Sequence, residues 1–165
     1  MTEIISRLIT ALGEQRDIYI KLYQLSLQKR EAIESQDLDK LNLIVKDEQP
    51  LLIQLNESER GRVKILGELA PSLNKSAEKI SLQDITEVCP TSFVAPLKRI
   101  HVELSNALTS QVSLNDVNRK LIESRLEYIS FMMDSTSNEF NNAYNLTGTD
   151  ARRKPNGPRL IDLEV

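Results

Sequence analysis

The chain has 165 residues, 40% of them apolar and 27% charged, with a formal net charge of −3 and no tryptophan. That length favours one domain with a real core, and the scarcity of aromatic anchors leaves leucine and isoleucine between helices to build it. The acidic balance argues against a general nucleic-acid role, and the single cysteine, Cys89, excludes an intramolecular disulfide and fits a reducing compartment.

The N-terminal stretch carries Glu3 and Arg7 among its apolar residues and has no small-residue cleavage site, so it does not read as a signal peptide. No apolar run approaches the ~18 residues that a spanning helix needs. The expectation is a cytoplasmic protein without a membrane span.

Residues 2 to about 34 read as a first helix. Ile5, Leu8, Leu12, Tyr19 and Leu22 form its stripe, with Ile18, Leu25 and Ala32 on the flank. Ser35-Gln36-Asp37 interrupts the pattern. Asp37 is suited to cap the next helix, because its carboxylate can accept from free backbone N–H groups at the positive helix end. A link this short predicts an antiparallel hairpin.

The second helix runs from Leu38 to Leu69. Leu38, Leu41, Val45, Leu52, Leu55, Leu66 and Leu69 follow a three-four spacing that also passes through Glu48, Glu59 and Arg62. Pro50 either kinks this helix or splits it in two. Pro71 is expected to end it. A polar connection follows, in which Ser81 to Asp84 resembles a capping box and residues 82 to 88 read as a short helix.

A third long helix begins near Pro96, placed in its first turn. Leu97, Ile100, Leu104, Ala107, Leu114, Leu121, Tyr128 and Met132 continue one seam, with Gln111, Asn118 and Arg125 at its polar positions. Running to Phe140 or Tyr144, this helix is longer than either partner, so both cannot bury its last part. The apolar density there is the richest in the chain, and Tyr128, Ile129, Met132, Met133 and Phe140 are the candidate partner surface. Residues 1–148 thus read as one helical domain and 149–165 as a tail, disordered or docked, in which Arg152-Arg153-Lys154 is a solvated cluster.

Taken in order, these stretches resemble the FlgN family of flagellar export chaperones over residues 1 to about 148. The resemblance rests on Glu14, Tyr19 and Leu22 ahead of Lys29-Arg30 and Ala32-Ile33, then on Asp37-Leu38, Leu41, Ile44, Glu48, Leu51-Leu52 and Leu55. It continues through Glu59 and Arg62, spaced as the family's E-x-x-R, then Asn115 and Asn118 before Leu121-Ile122, and Tyr144 with Gly148. The family often has tyrosine directly before glycine, whereas Asn145-Leu146-Thr147 intervene here. The resemblance implies a cytoplasmic chaperone, not an enzyme, that binds the C-terminal segments of hook-associated proteins and delivers them to the export gate or its ATPase complex. Tyr144 becomes an export-machinery contact on the same grounds.

Other readings of these residues are plainer. Glu48, Glu59, Arg62 and Asn118 read as polar seam positions that fix register between helices. His101, the sole histidine, and Cys89 lack the convergent partners that catalysis requires. No phosphate loop, paired-cysteine motif or HExxH is present, so no catalytic, cofactor or metal site is expected. The predicted architecture is all-α: an elongated antiparallel hairpin plus a third long helix, coiled-coil-like, with a non-regular tail. The alternative function is a coiled-coil scaffold or adaptor without an export client. Oligomeric state is left open.

Overall fold

A computed structural model describes the backbone of residues 1–146 and the side chains of residues 1–136. The expected tail, residues 149–165, lies outside the described residues. Four α-helices follow one another: α1 (Thr2–Ser35), α2 (Leu38–Leu73), α3 (Leu82–Val88) and α4 (Thr91–Leu146), with a 3-10 turn at Ala77–Lys79 between α2 and α3. Among the described residues there is no strand. The all-α class read from the sequence is the class observed.

The turn from α1 to α2 is fixed by two residues. Gln36 adopts the left-handed conformation (φ 60°) and its N–H bonds back to Ile33, while the Asp37 N–H reaches the Ala32 carbonyl at 2.9 Å. These two bonds satisfy carbonyls that the helix end would leave open. The Asp37 carboxylate then accepts from the Lys40 N–H at 2.9 Å and caps α2. One aspartate therefore closes one helix through its backbone and opens the next through its side chain. The hairpin is antiparallel, since Arg7 pairs with Glu68, Gln15 with Glu59 and Lys29 with Glu48.

The connection to α4 is ordered by its own capping box. Ser81 Oγ accepts from the Asp84 N–H, and the Asp84 carboxylate accepts from the Ser81 N–H and from Lys75. These bonds hold α3 so that Ile85 is buried in the core. The chain then returns beside α1. Arg16 meets Glu103, and Ser26 meets Asn115, so the offset between partners is nearly constant and this part of α4 runs parallel to α1. The two ends of the pairing correspond: α1 stops at Ser35, and the α4 residue at the Ser26–Asn115 offset is Ser124. The chain divides there into two compact units, Met1–Ser124 and the part beginning at Arg125.

Apolar packing in the first unit is concentrated at one end. Ile5, Leu8 and Leu12 of α1 pack with Ile65, Leu66 and Leu69 of α2, Ile85 of α3, and Leu97 and Ile100 of α4. Ile5, Leu69 and Leu97 are wholly buried. Three sequence expectations need correction within this frame. The α2 seam is as expected at its C-terminal end, where Leu66 and Leu69 are buried, and one residue off further back. Leu38, Val45 and Leu52 are 71%, 43% and 49% exposed, whereas Ile44, Ile65, Leu66 and Leu69 are buried and Leu51 partly so. The two rows share Leu41, Glu48, Leu55, Arg62 and Leu69. They differ in whether the alternate positions lie one residue earlier or later, and α1 occupies only one side.

Pro71 does not end α2, which continues to Leu73. A proline removes one ladder bond and crowds the carbonyl four residues back, here that of Gly67; both residues are exposed, so water can take that carbonyl. Nor does Pro96 open α4. The helix begins at Thr91, and Pro96 lies inside it. Pro50 is likewise interior, and α2 is continuous across it.

Away from the main apolar cluster, buried apolar residues such as Leu22, Ala32, Ile33, Ile44 and Leu114 are joined by polar groups in the contacts between helices. Ser26 is fully buried and is the centre of one such layer. Its Oγ donates to Asn115 and accepts from Gln111 Nε2, both at 3.0 Å, while its backbone carbonyl accepts from Asn118 Nδ2 at 2.8 Å. Gln111 Oε1 and Asn118 Oδ1 are buried without a partner. An unpaired buried acceptor costs about 1–3 kcal/mol, so this layer fixes alignment at a cost in stability.

Candidate functional site

In the second unit, residues 125–136 continue α4 as regular helix. Its side chains are exposed, apart from the half-buried Ser135. Leu126, Tyr128, Ile129, Phe131, Met132 and Met133 are between 46% and 69% exposed. At roughly 100° per residue, Phe131, Tyr128, Met132, Ile129, Met133 and Leu126 cover an arc of about 220°, against the ~100° stripe of an ordinary surface helix. Arg125, Ser135 and Thr136 lie within that arc. Glu127, Ser130 and Asp134 fill the remaining face. Regular 3.6-residue turns place the large side chains, and hydroxyl groups bond to the helix itself: Ser135 Oγ donates to the Phe131 carbonyl and Thr136 Oγ1 to that of Met132.

Of the candidate partner residues, Tyr128, Ile129, Met132 and Met133 therefore lie on one exposed, mainly apolar face. Leu126 and Phe131 belong to it as well. Both fall in the apolar-rich stretch 126–133 that the sequence marks, in which Glu127 and Ser130 are the polar interruptions. The side chains of Phe140 and Tyr144 lie outside the described residues. A surface of six exposed apolar side chains, two aromatic and two methionine, has the composition of an adaptable protein-binding face.

The polar seam residues lie in the first unit and are engaged in contacts between its helices. Glu48 pairs with Lys29, and both side chains are largely covered. Glu59 accepts from Gln15 Nε2 at 2.8 Å and from the Arg62 guanidinium, which lies one turn along the same helix. The hydrogen bond from Arg62, together with that from Gln15, holds the Glu59 carboxyl below its usual range although burial works the other way. The same bond raises Arg62 further, and burial pushes the nearby Tyr19 phenol up. Asn118 donates to the Ser26 carbonyl. Gln111 shares the polar seam with Asn118, but that Gln15 and Ser26 would be the α1-side counterparts of Glu59 and Gln111 carried no signal, because a polar residue at a core position shows its partner only in three dimensions.

His101 is exposed and Cys89 half-buried with a free thiol. Among the described residues no group of three or more histidine, cysteine, aspartate or glutamate side chains is placed to hold a metal. No helix among them is long and apolar enough to cross a membrane. A groove of about 1180 Å³ lies beside Glu14 and Asp17 of α1 and Glu57 and Gly61 of α2 and is open to solvent.

The family model described as FlgN protein matches residues 1–152. No curated protein and no solved structure matches the chain. The match covers the hairpin, the crossover and all of α4, so the chain belongs to the FlgN family, a family of flagellar export chaperones.

Proposed function

We propose that this protein is a cytoplasmic chaperone for the C-terminal helical segments of hook-associated flagellar proteins, and that the apolar face of α4 around Tyr128 is where a segment docks. The observation that supports it is the breadth of the exposed apolar arc from Phe131 to Leu126. A single helix laid along α4 covers about one stripe of it, so the client wraps α4 or brings two helices to it. Masking follows directly: the client's own apolar surface, which would otherwise start filament-junction assembly, is held against α4 until export. Delivery to the export gate or its ATPase complex is the second half of the function, with Tyr144 as the contact that the family resemblance suggests.

Interfaces draw most of their binding energy from a few large side chains near the centre. Replacing Tyr128 and Met132 together by alanine is expected to weaken binding of a hook-associated protein's C-terminal peptide by roughly 2–4 kcal/mol, or about 30- to 1000-fold, in calorimetric titration. Helicity and melting should stay near those of the parent, because both side chains are already about half exposed. Unchanged affinity in a folded variant would move the client elsewhere. Capture of cytosolic partners in place of secreted flagellar ones would favour a scaffold.

A further inference from the structure

The first unit holds a contrast that client docking around Tyr128 does not explain. Between Leu97 and Ile100, α4 is anchored by two buried apolar residues that belong to the main core cluster. From His101 to Ser124, three residues are buried, and two of them are amides: Gln111, Leu114 and Asn118. Leu104, Ala107 and Leu121 are only half-buried, while Val102, Leu108, Val112, Val117 and Ile122 face solvent. The amides centre on Ser26, and each leaves one buried carbonyl oxygen without a partner.

We infer that α4 from Leu104 to Ser124 is a strap that opens from α1 as a unit, hinged on the anchored turns at Leu97 and Ile100. The apolar area that opposes the opening comes mainly from Leu114 of α4 and from Leu22 and Ile33, which share the Ser26 face of α1. Release allows water to reach Gln111 Oε1 and Asn118 Oδ1, which removes the penalty of their burial. The hydrogen bonds to Ser26 set the position to which the strap returns, because only one register brings Gln111, Asn115 and Asn118 to that one serine. The opening uncovers the α1 face around Ser26 while the apolar end stays intact. It is a property of the free protein and stands whether or not the α4 face at Tyr128 binds a client.

Amide hydrogen exchange on the full chain tests this. In the parent, peptides covering residues 104–124 should exchange at least about tenfold faster than those covering 97–103 and 5–12, since they exchange by local opening. The pair Gln111→Leu and Asn118→Leu removes the unpaired acceptors and adds apolar contact, and should slow exchange in 104–124 about tenfold with 5–12 unchanged. Ser26→Ala, which takes away the partner of Gln111 and Asn115, should speed exchange in that segment alone. Equal protection across 97–124 in the parent overturns the inference, as does a Ser26→Ala variant that loses protection uniformly. Should the leucine pair fail to fold, the parent profile and Ser26→Ala decide it.

Discussion

Gln36 shows how much a single backbone position can constrain. It is one of two non-glycine residues with positive φ among those described, the other being Asn74, and both sit at helix C-termini. Holding a side chain in the left-handed region costs roughly 1–2 kcal/mol, which glycine avoids. Gln36→Gly is therefore expected to stabilise the protein by up to about 1 kcal/mol, with some of the gain offset by the greater freedom of the unfolded chain. Equilibrium denaturation by urea checks this, and a loss of stability would mean that the glutamine side chain makes a contact worth more than the strain. Asp37 next to it needs no such concession, since its extended backbone suits an N-cap.

The elements differ in which face they commit to the core. In α2, Leu69 is wholly buried and Leu52 is half exposed, although both lie on the row that the sequence suggested. Leu69→Ala should cost about 2–5 kcal/mol, the range for a fully buried leucine, and Leu8→Ala in α1 a similar amount. Leu52→Ala should cost under about 1 kcal/mol, because truncation there leaves no enclosed cavity. Thermal or chemical unfolding of the three variants is the measurement. Equal losses at Leu52 and Leu69 would show that the outer row of α2 is covered in solution. The half-exposed row of Leu38, Val45 and Leu52 is continuous along the helix with buried Leu66, which is why periodicity alone assigned it to the core.

Across the molecule, charged contacts outnumber the places where they could be strong. Arg7–Glu68, Arg16–Glu103 and Lys75–Asp84 tie neighbouring segments together, mostly at exposed or partly exposed sites. The hydrogen bond from Arg7 holds Glu68 below its ordinary value, those from Arg99 and then Arg16 do the same for Glu103, and Asp84, bonded by Lys75 and by Ser81, falls to about 2. A depressed carboxylate contributes stability that is complete above the unfolded-state value and is lost as pH falls through the folded one. The melting temperature should therefore decline as pH drops below 4.5, the ordinary glutamate value, with the Asp84 share lost between 3.8 and about 2. Added salt should shrink this dependence, because exposed pairs are screened. A melting temperature unchanged from neutral pH to 3 would show that these pairs contribute nothing net.

The sequence by itself determined the helices, the Asp37 turn, the Ser81 capping box and the family, because each depends on neighbours along the chain. A capping carboxylate acts within three residues, and an apolar repeat is a property of one helix. It also marked the apolar stretch around Tyr128. Tertiary structure decided which positions of the periodic rows of α2 are covered, that Pro71 and Pro96 lie inside helices, and that Gln111 and Asn118 converge on Ser26. Those outcomes depend on what occupies the space beside a helix. A row of leucines is buried only where another element arrives to cover it, and the residues that bring that element there are distant in sequence.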